Sequence, residues 1–422
     1  MIANYQSRST AIHKASSLVL FFIWPFAGLY DAFVNYKQDW SKNLFWLFCI
    51  FFGYTFIISQ EGGTDSDRYA RQFILYAHSD IKLGDLWSSF YSTAEDSKLD
   101  IVLTLLYYFV SRLTDNPSLL FTVFAVIFGY FYSRNIWYVL GRMEGNLSGP
   151  IIIFFITFLL LNPIWNINGF RFNAASQIFL FGTLRYLMEG KVKPLIWSAF
   201  SILVHFSFLL PVAVLIIFIF LKNKLNVYLI VFLVTSLLKE INLQQIQSVL
   251  LYLPDIFHSK IYNYANADYA EARILGSQAM NWYVNFSGDA LRWSTYIMVF
   301  YTYLFGRDIL KERKEFLSLF CFSLLIFSVA NIIQFVPSGG RFTYVSLSFF
   351  FSFFVIFIST ASKIKGISLI SSLTSVLLLA YCIFAMRVGM EFFGLGTILG
   401  NPIILTFFHD DTPLILALKG FL

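Results

Sequence analysis

The chain has 422 residues, of which 58% are hydrophobic and only 13% are charged, and its formal net charge is +6 at pH 7. Soluble domains carry about 25% charged residues, so this composition excludes an ordinary soluble protein. Most Lys and Arg residues lie in short loops beside apolar segments, which favours membrane topology over a nucleic-acid partner as the reason for the positive charge. The sequence therefore predicts a single all-α, polytopic membrane domain over residues 1–422.

Apolar segments long enough to approach or cross a bilayer follow one another along the chain. They cover residues 16–35, 43–60, 117–138, 150–165, 170–188, 194–221, 225–239, 290–306, 316–335, 341–360 and 367–386. Together with a shorter apolar piece at 99–113, they predict about 11–14 transmembrane helices, including broken and re-entrant ones. The positive-inside rule places the basic loops between them in the cytoplasm.

Two segments do not fit as simple crossings if every basic loop faces the cytoplasm. Leu99–Leu113 is fifteen residues long, about 22 Å as a helix, and a full crossing would move the basic loops that follow it outside. We expect a re-entrant or interfacial helix there. Pro194–Leu221 has basic residues at both ends, so we expect a break between His205 and Pro211, where proline removes a backbone donor.

This topology gathers the unusual polar residues on the outer face. The predicted outer segments are a loop with amphipathic helices over residues 61–98, the connection Asn162–Arg171, the tip at His205, a long loop over residues 240–289, and Pro337–Arg341. Broken helices at membrane depth are tolerated only where they are buried in protein or line a wet cavity. We therefore expect one outer-face site assembled from distant segments.

Two arginines at the outer starts of predicted helices indicate that this site binds an anion. Arg171 lies in NGFRFNAASQ beside Asn168, Asn173 and Gln177, and Arg341 follows two glycines in PSGGRFTYVS. An arginine near hydrocarbon faces a partner or a wet cavity, and snorkelling to the interface is the alternative. Because a guanidinium binds phosphate oxygens in a bidentate fork, we expect a diphosphate ligand.

Candidate acid–base residues lie near both arginines. His205 is the histidine that lies within an apolar run, and its predicted place at a helix break favours proton transfer over a buried structural role. TDSDRYARQF adds Asp65, Asp67, Arg68 and Tyr69 after the second span. These charges predict either an ordinary helix start capped by Asp65 or a part of the site.

Four motifs, taken in order, resemble those of a known family: GTDSDRYARQF, NGFRFNAASQIFLFGTLRYL, LIWSAFSILVHFSFLLP and GGRFTYVS. They resemble the EpsG-like, Wzy-type polymerases of O-antigen and capsular polysaccharides, over about residues 15–390. The resemblance implies the helix-rich fold class of lipid-carrier (GT-C-like) glycosyltransferases and a place in the bacterial inner membrane. It also implies metal-independent joining of undecaprenyl-diphosphate-linked repeat units at the periplasmic face.

The predicted site follows from these motifs and their chemistry. The arginines would stabilise charge growing on the departing diphosphate, and a base would accept the proton of the incoming hydroxyl. The predicted catalytic residues are His205, Asp67, Arg171 and Arg341. The predicted substrate-binding residues are Asp65, Arg68, Tyr69, Asn168, Asn173 and Gln177. We expect neither a metal ion nor a cofactor.

The expected partners are the undecaprenyl-diphosphate-linked donor and acceptor, membrane lipids, a chain-length regulator and a flippase, but no nucleic acid. Three alternative functions stay open. A ligase or another lipid-carrier glycosyltransferase would differ only in its acceptor, and a transporter would also use broken helices with arginines. A membrane acyltransferase would need an aspartate beside its histidine, and His205 has none nearby in sequence.

Overall fold

The computed structural model describes residues 2–59, 64–90, 99–145, 147–238, 281–336, 338–361, 364–407 and 411–421. Within these ranges the regular elements are helices and there is no β-strand, which confirms the predicted all-α class. The first seven helices are α1 (Ile2–Ile23), α2 (Pro25–Val34), α3 (Ser41–Tyr54), α4 (Asp65–Ala77), α5 (Leu83–Ser89), α6 (Ile101–Ser111) and α7 (Pro117–Leu140).

Five more helices occupy the middle of the chain: α8 (Gly149–Leu161), α9 (Phe170–Glu189), α10 (Leu195–Val204), α11 (Leu209–Leu221) and α12 (Leu225–Ser236). The C-terminal part contains α13 (Trp282–Phe305), α14 (Arg307–Glu312), α15 (Lys314–Ile333), α16 (Arg341–Thr360), α17 (Ile367–Gly389), α18 (Leu395–Leu399) and α19 (Leu414–Phe421). Short 3-10 turns cover Ile164–Gly169, Phe206–Phe208 and Ile404–Thr406.

Five helical segments of the described chain are long and apolar enough to cross a membrane, which confirms a polytopic membrane protein. They are Pro117–Leu140, Gly149–Glu189, Lys314–Ile333, Arg341–Thr360 and Ile367–Gly389. The second of them contains two helices, α8 and α9, joined by a 3-10 turn. Several other predicted spans are shorter than expected: α12 has 12 residues and would extend only about 18 Å.

The predicted span 16–35 is divided. α1 ends at Ile23, Trp24 is extended, and Pro25 begins α2. Proline is favoured as the first residue of a helix because its missing amide would have had no partner there. The predicted long loop at 240–289 ends earlier than expected, since α13 begins at Trp282, and residues 240–280 lie outside the described ranges.

The break predicted in Pro194–Leu221 is present. α10 ends at Val204, His205 is extended with φ −148° and ψ 117°, and a 3-10 turn leads into α11. Pro211 lies in the first turn of α11, where its missing donor costs no helical hydrogen bond. The second unusual segment, α6, has 11 residues, about 16 Å. Such a short helix agrees with a re-entrant or interfacial placement.

Close helix contacts and aromatic packing hold the bundle together. α3 packs against α7 through Gly53, where an added Cβ would lie 2.3 Å from Ala125 Cβ and 2.7 Å from the Phe121 carbonyl oxygen. Small residues at such interfaces let membrane helices approach closely. α16 lies at the centre, where Val345–Ser359 is buried on all sides. Its phenyl rings stack along the helix, as in Phe350 and Phe354 at 5.5 Å.

The two ends of this bundle differ in chemistry. α9 and α16 each have 20 residues, about 30 Å of helix. Their first turns hold Arg171 and Arg341. Their last turns lie among the basic loops, where Glu189 pairs with Arg142 at 2.6 Å and Ser359 Oγ accepts a hydrogen bond from the Glu144 amide at 3.2 Å. The first-turn arginines and these basic loops therefore lie at opposite ends, as the topology predicts.

Candidate functional site

A buried carboxylate joins two of the predicted catalytic residues. Asp100 immediately precedes α6 and is 8% exposed. Its Oδ2 accepts a hydrogen bond from Arg171 Nη1 at 2.8 Å, and its Oδ1 lies 3.1 Å from His205 Nδ1. The backbone amide of Phe206 also donates to Oδ1, at 3.0 Å. Asp100, Arg171 and His205, called the Asp100 cluster below, come from three segments that are far apart in sequence.

The helix break creates the geometry of this cluster. Because α10 ends at Val204, the amide of Phe206 is not used inside a long helix and can donate to Asp100. The same break turns the His205 side chain towards the carboxylate. An ionised carboxylate only accepts hydrogen bonds, so His205 donates from Nδ1 and its Nε2 carries the lone pair when the ring is neutral. Within the described residues, Nε2 has no hydrogen-bond partner.

The charges of the cluster stabilise one another. Burial by itself would raise the pKa of the Asp100 carboxyl, but the neighbouring His205, the Arg171 guanidinium and the Phe206 amide together lower that pKa to about 2. Asp100 is consequently ionised at neutral pH.

Arg171 is held on two sides. Besides its bond to Asp100, its Nε donates to the hydroxyl of Tyr69 at 3.2 Å, and Tyr69 is 2% exposed. Burial is the main reason that the pKa of the Tyr69 hydroxyl is raised. The Arg171 side chain is 31% exposed, so it faces protein partners and still reaches an accessible surface. This arrangement supports a partnered arginine over simple snorkelling.

A cavity of about 330 Å³ lies beside the cluster and contains Arg341. Its polar lining residues include Asp65, Asn162, Asn166, Asn168, Asn173, Ser176, Arg341, Tyr344 and Tyr381. Arg341 is half exposed, and its closest carboxylate contact within the described chain is 4.0 Å from Nη2 to Asp65 Oδ2. A guanidinium so loosely paired is available to a ligand.

The Phe172 side chain lies between this cavity and the Asp100 cluster and contacts both. Its ring lies 5.9 Å from the Arg341 guanidinium and packs edge-on against the His205 ring at 5.7 Å. Both groups are therefore in contact with the same side chain, which also lines the cavity. Arg171 and His205 do not line the cavity themselves. A substrate that reached both parts would lie along the edge of Phe172.

The α4 residues predicted for the site divide into two groups. Asp65 lines the cavity, and the Tyr69 hydroxyl accepts a hydrogen bond from Arg171. Arg68 is exposed and pairs with Asp65, while Asp67 pairs with Arg71 at 3.0 Å. Asp67 therefore lies away from both the cavity lining and the cluster. The helix cap is Thr64, whose hydroxyl accepts the Asp67 amide, instead of the expected Asp65.

The predicted amide side chains shape the turn before α9. Asn168 Oδ1 accepts the Ser66 amide at 3.1 Å, which ties this turn to α4. Asn173 donates to the carbonyls of Asn166 and Gly169 at 3.1 and 3.0 Å. Gln177, 4% exposed, donates to the Asn162 carbonyl and does not line the cavity. It stabilises the connection between α8 and α9.

Asp100 and Phe172 were not identified from the sequence as residues of the site. Asp100 is a charged residue directly before a short apolar helix, and a carboxylate at such a boundary is a reasonable candidate partner for a nearby arginine or histidine. Phe172 is one of 51 phenylalanines, and no feature of the sequence distinguished it from the others. The aspartate that His205 lacks in its sequence neighbourhood is therefore present in space. Among the described residues, no three His, Cys, Asp or Glu side chains lie together as metal ligands.

Comparison with known proteins gives one positive result. The model of the EpsG family matches residues 44–395, which is most of the chain and includes the whole cluster and the cavity. No curated protein and no solved structure gives a significant match. The family indicates a polymerase-type role in polysaccharide biosynthesis.

Proposed function

Because the chain belongs to the EpsG family, we propose that it joins oligosaccharide repeat units carried on undecaprenyl diphosphate into a polysaccharide. The proposed location is the bacterial inner membrane, with the site on the periplasmic face. The observation that carries the proposal is the Asp100 cluster beside a polar cavity that holds Arg341. Two arginines can supply positive charge for a departing diphosphate, and a histidine held by a carboxylate can act as the base.

In the proposed reaction, His205 Nε2 accepts the proton of the incoming sugar hydroxyl. The hydroxyl oxygen forms a bond to the anomeric carbon of the donor sugar. The bond between that carbon and the diphosphate oxygen breaks, and the diphosphate leaves with the electron pair. Asp100 holds His205 at Nδ1 and stabilises the imidazolium that forms, as carboxylates do in other histidine-based sites.

The two arginines have different proposed tasks. Arg341 is loosely paired and half exposed, so it binds the diphosphate oxygens directly. Arg171 is oriented by Asp100 and Tyr69, and its exposed edge adds positive charge where the leaving group becomes more negative. Such fixed charges accelerate a reaction because they act more strongly on the transition state than on the bound substrate.

Joining two lipid-linked units requires two binding sites. A second cavity of about 300 Å³ shares Tyr344 with the first, and its other polar lining residues are Asp289, Arg292, Gln334 and Thr343. Arg292 Nη2 donates to Gln334 Oε1 at 3.0 Å. We assign the first cavity to one lipid-linked substrate and this neighbouring cavity to the other.

Two alternatives are less well supported. An acyltransferase would use the His205–Asp100 pair, but it has no need for arginines beside that pair. A transporter would need polar groups reachable from both sides, whereas the cluster and both arginines gather at one end of α9 and α16. A ligase would share all of the chemistry and differ only in its acceptor.

Purified protein incubated with a lipid-diphosphate repeat unit tests the proposal, with the products separated by size. We expect a ladder of products from the wild-type protein and none from Arg341→Ala, with Arg307→Ala at the opposite end as a matched control that retains the ladder. A single transfer product would indicate a ligase. Unchanged product lengths in Arg341→Ala would refute the proposed role of the cavity.

A further inference from the structure

A second basic site lies at the other end of the bundle, away from the Asp100 cluster. It is a cavity of about 520 Å³ between the α2–α3 connection, the end of α7 and α9. Its basic lining residues are Lys37, Lys42, Arg134, Arg142 and Arg185. Asp39 is the carboxylate among the lining residues, so the wall of the cavity carries an excess of positive charge.

Two of the five basic residues are neutralised by carboxylates. Lys42 pairs with Asp39 at 3.2 Å, and Arg142 pairs with Glu189 at 2.6 Å. The other three have no carboxylate partner within the described residues.

The unpaired arginines are held by neutral groups. Arg134 Nη2 donates to Asn43 Oδ1 at 2.6 Å, and its guanidinium lies 4.2 Å from the Tyr130 ring. Arg185 donates to the carbonyls of Phe181 and Arg134, at 2.8 and 3.2 Å. These contacts orient the guanidiniums without cancelling their charge. Fixed, uncompensated guanidiniums form a binding site for an anion with several oxygen acceptors, such as a phosphate group.

An apolar stripe leads from this cavity along α2. Phe26, Tyr30 and Val34 are spaced four residues apart and therefore share one face of the helix. They are 41%, 71% and 59% exposed, and the stripe ends two residues before Tyr36, which lines the cavity. A soluble anion would use only the cavity. A molecule with a phosphate head and a hydrocarbon tail would use both surfaces.

We propose that this cavity binds the headgroup of an anionic membrane phospholipid, whose acyl chain packs along the α2 stripe. Basic pockets between membrane helices on the cytoplasmic side are suited to such headgroups, and the positive-inside rule places these loops there. The bound lipid would link α2, α3, α7 and α9 at this end. The inference is independent of the reaction proposed for the opposite end.

The test compares lipid binding by three versions of the full chain. Lys37→Gln/Lys42→Gln removes two charges from the cavity, and both side chains are accessible enough for replacement without repacking. Lys311→Gln/Lys314→Gln is the control, since it removes two charges from exposed positions on α14 and α15 outside the cavity. Each protein is placed in phosphatidylcholine nanodiscs with or without phosphatidylglycerol. Retained lipid is measured by native mass spectrometry, and stability by the thermal unfolding midpoint.

We expect phosphatidylglycerol to be retained by the wild type and the control, and to raise their unfolding midpoints. The cavity variant should bind it about 25-fold more weakly, because it lacks two basic residues and each basic residue near an anionic lipid contributes about fivefold in affinity. Its midpoint in phosphatidylcholine alone should match the wild type, which checks folding. Equal retention by all three proteins, or an equal loss in both variants, would overturn the proposal. If inorganic phosphate raised the unfolding midpoint to the same extent, the ligand of this cavity would be a soluble anion and not a lipid.

Discussion

Replacing Asp100 by asparagine keeps the shape of the side chain and removes its charge. The wild-type carboxylate is buried and accepts hydrogen bonds from Arg171, His205 and the Phe206 amide. In the variant, the Arg171 guanidinium loses its carboxylate and the tautomer of His205 is no longer determined. We therefore expect losses in both stability and turnover.

The magnitude of the stability loss follows from the pKa of the Asp100 carboxyl, which falls from 3.8 to about 2 on folding. One pKa unit corresponds to about 1.4 kcal/mol, so the ionised carboxylate contributes about 2 kcal/mol to the free energy of unfolding at neutral pH. Because the folded-state pKa is lowered, this contribution is fully present above the unfolded-state pKa and disappears as the pH falls towards 2. At pH 3 about half of it should be left.

The assay measures unfolding of Asp100→Asn and wild type in the same detergent between pH 7 and pH 3. Asp308→Asn is the matched control, because Asp308 lies on α14 and is 92% exposed. The stability difference for Asp100→Asn should shrink as the pH falls, while the control differs little from wild type at any pH. A difference that stays constant down to pH 3 would refute the idea that the charge of Asp100 is what stabilises the cluster. Turnover should fall about 10²- to 10⁴-fold, as for loss of a positioned acid–base group.

Three further variants test other parts of the molecule. Arg341→Lys should lose about 10²-fold in rate, nearly as much as Arg341→Ala, because lysine lacks the bidentate fork. The reaction rate of both variants is measured under single-turnover conditions. His205→Ala should lose about 10²- to 10⁴-fold in rate. The rate of Asp67→Asn should be nearly unchanged, because Asp67 pairs with Arg71 away from the cluster. The same assay compares the two variants. Gly53→Ala should lower the unfolding free energy by about 1–3 kcal/mol, whereas Gly84→Ala should not, since an added Cβ meets nothing within 4 Å there.

Each of these comparisons has an outcome that contradicts it. Full activity of Arg341→Lys would mean that charge alone suffices at that position. A larger loss in Asp67→Asn than in His205→Ala would make Asp67 the base. Equal unfolding midpoints for the two glycine variants would show that the contact between α3 and α7 adapts at little cost.

The sequence by itself determined the class of the protein and the location of its main irregularities. Hydropathy is a local property, so the apolar segments were visible in short windows of residues. The break between His205 and Pro211 was inferred from the basic residues at both ends of its apolar segment. The order of four motifs also led to the EpsG family, which matches residues 44–395. Local patterns did not give the helix lengths well. The division at Pro25 has a local cause, the preference of proline for the first position of a helix, which hydropathy does not register.

The site itself was only partly predictable. Arg171, His205 and Arg341 were identified from their positions at helix starts and at a break, and the structure brings each of them to the same end of the bundle. Asp100, which is 71 residues from Arg171 and 105 from His205, entered only through tertiary contacts. Tertiary structure also buried Gln177 against Asn162, whereas the pairing of Asp67 with Arg71 is an i,i+4 contact within α4. The physical reason is that a buried charge takes its partner from whichever segment folding brings near, and no periodicity in the sequence records that choice.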